Sequence, residues 1–190
     1  MYNRIMFRFF RNLYTHRYLL YNLSAREIKS RYKQSILGYF WVILNPLFQM
    51  LVLAFVFSFF IKIPTAFNIP YSVFLYSGLL SWNLFVYSIT SATNSLIENE
   101  ALIKKVYFPR EIIIVSSVVA KIYDFLLAST VFLGFLFYYH INISSLIILY
   151  PVILLVQIFF SLGISFILSA FNLFYRDVQY LMNSIFLVWF

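Results

Sequence analysis

The sequence contains no cysteine, which removes disulfides, thiolate metal sites and a cysteine nucleophile from consideration. Glycine is scarce: Gly38, Gly78, Gly134 and Gly163 are the four present, too scattered for a phosphate-cradling loop of the Walker type. The two histidines, His16 and His140, stand alone, and no carboxylate, histidine or serine constellation with catalytic spacing accompanies them. Neither ATP hydrolysis nor a metal site is therefore expected in this chain. Charge is the largest deficit. Only 11% of residues are charged and 63% are hydrophobic, whereas a soluble domain carries about a quarter charged residues, so a water-soluble fold is nearly excluded.

Charge is also missing in blocks, with no Asp, Glu, Lys or Arg over 34–61, 63–97 or 125–175. Each block reaches the roughly 20 residues needed to cross a bilayer core. The first begins only after some 33 polar and basic residues and exceeds a signal-peptide core, so it reads as a retained anchor. Backbone groups in lipid must be satisfied within the segment, so continuously apolar spans of this length are read as helices rather than barrel strands. The expected class is all-α: a polytopic transmembrane helical bundle preceded by an N-terminal amphipathic interfacial helix. Spans are expected at about 38–61, 71–97, 112–139 and 146–171, with Lys62, Pro64 and Pro70 in the first turn. A further apolar stretch over 180–190 is about half the length needed to cross, so the chain reads as cut short in a fifth span. Two regions follow: a cytoplasmic segment over 1–36 and a transmembrane domain over 37–190.

The net charge is +8, yet eight of the fourteen Lys and Arg lie within the first 33 residues, beside a membrane segment. That cluster reads as membrane-surface charge rather than a nucleic-acid site. Lys104, Lys105 and Arg110 follow span two, Arg176 follows span four, and the opposite loops carry only Lys62. The positive-inside rule then puts the N-terminus and the loop over 98–111 in the cytoplasm.

Ser24 with Glu27 makes a candidate capping box for the interfacial helix. Asn22, Arg26, Lys29 and Lys33 share one face and Tyr21, Ala25, Ile28 and Tyr32 another. Such a helix is either an orientation anchor on anionic lipid or a movable element that meets a partner or a substrate head group. On the first span Trp41, Asn45, Phe48, Val52, Phe55 and Phe59 recur at helical intervals, a face that either stacks on sugar rings or meets lipid, and Pro46 predicts a local packing kink. Ser161, Ser165 and Ser169 form a small-residue stripe for close helix approach. Lys121 and Asp124 are the only charges expected inside a span, about 15 Å or more beyond its cytoplasmic start at 1.5 Å per residue. Ionisable groups at that depth are functional suspects, while their spacing also predicts a mutually neutralising pair.

The loop after span two is the most informative segment. Leu102, Ile103, Val106 and Tyr107 form a short apolar arc with Lys104 and Lys105 opposite, and Pro109 is expected to end the helix. Such a half-apolar cytoplasmic helix lies on lipid or plugs a partner's groove.

The run Arg31-Tyr32-Lys33-Gln34-Ser35-Ile36-Leu37-Gly38-Tyr39-Phe40-Trp41, followed by Asn45-Pro46, resembles the opening of polysaccharide-type ABC-2 permeases. Leu102 to Glu111 resembles their first cytoplasmic loop, and Tyr175-Arg176-Asp177 adds a third ordered motif. The resemblance covers nearly the whole chain. It implies a permease that dimerises, binds two copies of a separate ATPase holding ATP and magnesium, and exports O-antigen, capsule or teichoic-acid polymers on a lipid carrier across a bacterial inner membrane. It implies a coupling helix spanning Leu102, Ile103, Lys104, Lys105, Val106, Tyr107, Phe108, Pro109 and Arg110. It implies a gate helix carrying Arg26, Lys29, Arg31, Tyr32 and Lys33, and channel-lining candidates Trp41, Asn45, Phe48 and Phe55 facing the fifth span. The family completes six spans, which this chain does not reach.

Three other readings compete. A permease for drugs or small lipids shares the same architecture. A membrane-embedded lipid-linked glycosyl or acyl transferase predicts a cluster of carboxylates or histidines at a membrane face, which the sequence lacks. A proton-coupled carrier fits Lys121 and Asp124.

Overall fold

The computed structural model describes residues 2–32, 35–60, 70–141 and 145–190. All regular structure among them is helical: α1 (Tyr2–Thr15), α2 (Arg17–Tyr32), α3 (Phe40–Phe60), α4 (Tyr71–Glu98), α5 (Glu100–Lys105), α6 (Glu111–Tyr138), α7 (Tyr150–Phe174) and α8 (Val178–Trp189), with a 3-10 turn at Ser145–Leu149 leading into α7. Four of these helices are long and apolar enough to cross a membrane. The cause is the charge-free composition of each segment: a helix satisfies its own backbone where lipid offers no partner.

Burial separates central from peripheral helices. In the apolar stretches of α6 and α4, 56% and 44% of residues are buried, against 17% in α3 and 6% in α7. The inner pair therefore forms the core and the outer pair presents its apolar surface outward. One apolar cluster joins Met50 of α3, Tyr76, Leu79, Leu80 and Leu84 of α4, and Phe125 and Ala128 of α6. Tyr76 is fully buried and its hydroxyl donates to the Ala128 carbonyl at 3.0 Å, so its polar end is satisfied inside the bundle. A second cluster joins Ala92 and Leu96 of α4 with Ile112, Ile113, Ile114 and Val118 of α6 and Leu23 of α2.

On α7 the buried residues are Ser161, Ser165, Ser169 and Asn172, the small-residue stripe extended by one amide. Small side chains let two backbones approach, and α7 uses this face to pack on α4. Asn172 Nδ2 donates to the Thr93 carbonyl at 3.0 Å and to Asn94 Oδ1 at 3.1 Å, and Gln157 Nε2 donates to the Ser81 carbonyl at 2.7 Å. Pro46 lies inside α3 on the buried stripe that includes Val42 and Met50, so the side that lacks an N–H faces the protein.

The N-terminal segment differs from expectation. α2 already begins at Arg17, so Ser24 is a helix-interior residue and not a cap. Its hydroxyl is buried with the Leu20 carbonyl at 3.0 Å and the Ser116 carbonyl of α6 at 3.1 Å as the two acceptors for its one proton. The face turned toward the bundle carries Leu20, Leu23, Ser24, Glu27 and Arg31, which is neither face expected from periodicity. α2 is thus docked alongside α6 through Leu20 and Leu23 together with polar groups. Between Ser24 and Arg31 its partners on α6 advance from Ser116 to Asp124, so the two helices run side by side in the same direction. Phe9 meets Phe166 of α7 edge to face at 5.9 Å.

Candidate functional site

Three regions gather the residues that the sequence singles out. The first is the segment between α4 and α6. α5 is a single short helix, and it stops at Lys105, because Val106 is already extended at φ −131° and ψ 132°. Pro109 therefore lies beyond the helix end and does not cause it. The apolar arc is also divided. Leu102 and Ile103 pack inward against the cluster of Leu23, Leu96 and Ile112, and so does Phe108, whereas Val106 is exposed and Tyr107 fully so. Lys104, Lys105 and Arg110 are exposed as well, and Pro109 is half-buried. The loop accordingly has an anchoring side and a presenting side, the latter basic with one bare aromatic ring. Glu100 pairs with Lys104 at 2.5 Å, and the hydrogen bond to Lys104 holds its carboxyl below the ordinary carboxylate range.

The second region is a charge cluster under α2. Arg31 donates to Asp124 Oδ2 at 2.5 Å through Nη1 and to Glu27 Oε1 at 2.8 Å through Nη2. Ser91 Oγ of α4 donates to the same Glu27 oxygen at 2.8 Å. Lys121 Nζ lies 3.8 Å from Asp124 Oδ2, so the pair expected from spacing exists as a longer contact, and the short partner of Asp124 comes from a helix 93 residues away. Burial works against the charge on Arg31, but Asp124 and Glu27 outweigh it and hold the guanidinium above its ordinary value. Arg26 donates to Asn99 Oδ1 at the junction of α4 and α5, and Lys29 is exposed. Lys33 lies outside the described residues.

This cluster borders a cleft of about 340 Å³ whose lining includes Arg31, Asn45, Pro46, Asn83, Tyr87, Lys121 and Asp124. Asp124 and Lys121 thus share this cleft with Asn45 and Pro46 of α3.

The third region is a cleft of about 580 Å³ between α3, α4 and α8, lined by Phe48, Trp82, Phe186 and Phe190 together with Gln49, Asn83 and Asn183. Of the four channel-lining candidates, Phe48 faces this cleft and Asn45 faces the charged one. Trp41 and Phe55 are exposed and border neither cleft. Periodicity did not single out the polar ladder at its back, where Asn83 Nδ2 donates to Gln49 Oε1 at 2.8 Å and Gln49 Nε2 to Tyr87 Oη at 3.3 Å. The available signal was an amide on each of two facing apolar spans. Among the described residues no group of three or more His, Asp or Glu side chains converges as a metal site would.

Helices of this length and composition, with a basic loop and aromatic clefts between spans, define a multi-pass membrane protein. The sequence profile of the ABC-2 type transporter family matches residues 18–190, and the chain belongs to that family. It is 34% identical to the O-antigen export system permease protein RfbA of Myxococcus xanthus over 97% of this chain and 70% of that protein. It is 38% identical to an RfbA protein of the same description from Klebsiella pneumoniae over 85% of this chain and 61% of that protein. The chain thus spans roughly two thirds of the length of these curated relatives.

Proposed function

We propose that this chain is the membrane-spanning part of an ATP-driven exporter that moves a lipid-linked polysaccharide of the O-antigen type out of the cytoplasm. The observation that carries the reading is the identity of 34–38% with O-antigen export permeases over 85–97% of the chain. The cleft between α3, α4 and α8 supports it chemically, since aromatic rings offer faces for sugar rings and amides offer partners for hydroxyls. Energy comes from a separate ATPase that holds ATP and magnesium, and the permease subunit carries out no hydrolysis. The presenting side of the loop, Lys104, Lys105, Val106, Tyr107 and Arg110, is the docking face for that ATPase, and Leu102, Ile103 and Phe108 hold it in place. α2 is the gate helix, with Arg26 and Arg31 fixing it to the bundle. The lightly buried faces of α3 and α7 are the surfaces that meet lipid or a second permease copy. The protein resides in the inner membrane with its N-terminus in the cytoplasm, a reading supported by the distribution of Lys and Arg.

The test reconstitutes the full-length permease with its ATPase in vesicles whose lipid-linked glycan is labelled. ATP-dependent transfer of the glycan to the opposite leaflet, read as a change in its sensitivity to an added glycosidase, is the expected result. ATP hydrolysis with no transfer of glycan, but with movement of a labelled drug or short lipid, would contradict the polymer assignment.

A further inference from the structure

We infer that Lys121 is the reserve counter-ion of Asp124, and that the cluster Glu27–Arg31–Asp124–Lys121 is built so that α2 can lift off α6 without stranding a charge. This makes Lys121 a positioning residue for α2. The inference concerns the motion of a helix and does not depend on what the protein exports.

The contact of α2 with the bundle has its apolar part, Leu19, Leu20 and Leu23 on the cluster of Ile112, Ile113, Ile114 and Val118, in the first half of α2, and beyond it the side-chain links from Glu27 and Arg31 to Ser91 and Asp124 are polar. Its strongest link is Arg31 to Asp124 at 2.5 Å. Removing one partner from a buried ion pair ordinarily leaves an uncompensated charge, which makes such pairs hard to open. Here each partner has a second one on its own helix. Arg31 is already bonded to Glu27 one turn earlier, at 2.8 Å. Lys121 stands one turn before Asp124, with Nζ 3.8 Å from the carboxylate, inside ion-pair range but beyond the 2.7–2.9 Å of a charge-assisted hydrogen bond. Both intrahelical pairs have the i,i+3 or i,i+4 spacing at which helix side chains meet.

Asp124 also has spare capacity. Its buried Oδ1 accepts no hydrogen bond from any described residue. The Lys121 ammonium rests 5.9 Å from the centre of the Tyr87 ring, on the wall of the 340 Å³ cleft, which leaves room for the movement of about 1 Å needed to close on the carboxylate. In the docked arrangement Arg31 bridges both carboxylates and Lys121 stands by. In the released arrangement Glu27–Arg31 leaves with α2, and Lys121–Asp124 stays on α6.

The sign of one substitution separates this role from simple structural support. If Lys121 merely glues the cluster together, removing it loosens α2. If it is the reserve partner, removing it penalises only the released state and also relieves its repulsion of Arg31 in the docked one, so α2 docks more tightly. These 190 residues lack cysteine, so with any cysteine elsewhere in the full-length protein replaced by serine, Ser24→Cys places a single thiol beneath α2 at a position 5% exposed. The rate at which a cationic methanethiosulfonate reagent modifies it in the purified full-length protein in lipid nanodiscs reports release.

The expected order is a rate at least threefold slower in Lys121→Met, restoration to within twofold in Lys121→Arg, and a rate about tenfold faster in Asp124→Asn. Adding Lys121→Met to Asp124→Asn should slow release less than Lys121→Met slows it alone, because the reserve partner then has no carboxylate to hold and only relief of its repulsion of Arg31 remains. A reporter at Ser116→Cys, buried on the opposite side of the contact, should give the same order and guards against a misfolded first reporter. A faster or unchanged rate in Lys121→Met at both reporters would overturn the inference.

Discussion

Removing the Tyr107 ring should abolish tight ATPase docking while leaving the permease fold untouched. Tyr107 is fully exposed in the extended stretch after α5, so Tyr107→Ala discards almost no packing within the chain. Surface changes of this kind stay within about ±0.5 kcal/mol, which is a shift of about 2 °C or less in melting temperature for a chain of this size. An aromatic anchor at the centre of an interface costs about 2 kcal/mol or more on truncation, or roughly 30-fold in Kd. The comparison variant is Ile103→Asp. Ile103 is half-buried against the cluster of Leu23, Leu96 and Ile112, so a carboxylate there loses part of the roughly 1.5–3 kcal/mol of side-chain burial and must be desolvated. It should lower both ATPase affinity and melting temperature. The assay titrates purified ATPase against each full-length variant in nanodiscs and follows thermal unfolding of the same samples. Affinity within twofold of the unmodified protein for Tyr107→Ala would refute the division into anchoring and presenting sides.

Four further outcomes are expected. Asn172→Leu removes two hydrogen bonds between α7 and α4; at about 0.6 kcal/mol for an average interhelical bond in a membrane, the loss is roughly 1 kcal/mol and 2–4 °C in thermal unfolding. Tyr76→Phe should cost a similar amount through the bond to the Ala128 carbonyl, whereas Tyr76→Ala adds a cavity beside Phe135 and should cost about 3–5 kcal/mol, read by the same melts. Phe48→Ala, at a half-exposed ring in the aromatic cleft, should slow glycan transfer in vesicles several-fold while ATP hydrolysis and melting temperature stay within error. The Glu100 carboxyl is lowered by its hydrogen bond to Lys104; a depressed acid stabilises the folded loop above its unfolded pKa and loses that contribution as pH falls through the folded value. Lys104→Ala should therefore return the Glu100 titration, followed by carboxyl NMR, to the ordinary range.

The spans were legible because a bilayer imposes a length and a composition that a single sequence displays directly. α4 ends where charge resumes, at Glu98, and α6 begins at Glu111, the last charged residue of the loop. The docking of α2 was not legible. Periodicity assigns faces by assuming that apolar residues point inward, and α2 turns Ser24, Glu27 and Arg31 inward instead, toward Ser116, Ser91 and Asp124 on other helices. The capping-box pattern at Ser24 and Glu27 misled for the same reason, since both side chains are engaged in tertiary bonds. Pro109 predicts a helix end next to it, whereas α5 ends four residues earlier, where Leu102 and Ile103 turn inward and Val106 becomes extended. Which aromatics share a cleft depends on where α8 packs, and only contacts between distant segments decide that; hence Phe48 lines a cleft with Phe186 and Phe190 while Trp41 and Phe55 border neither cleft.

Export of a lipid-linked polymer is tested most directly by deleting the gene and comparing glycan on the cell surface with lipid-linked glycan retained inside, with a full-length copy restored as control. Loss of the surface polymer with accumulation of its lipid-linked form inside, both reversed by the restored copy, is the predicted result. Unchanged glycan in both places, or disappearance of the polymer from both, would contradict it, the first pointing to a small-molecule permease and the second to a role in synthesis.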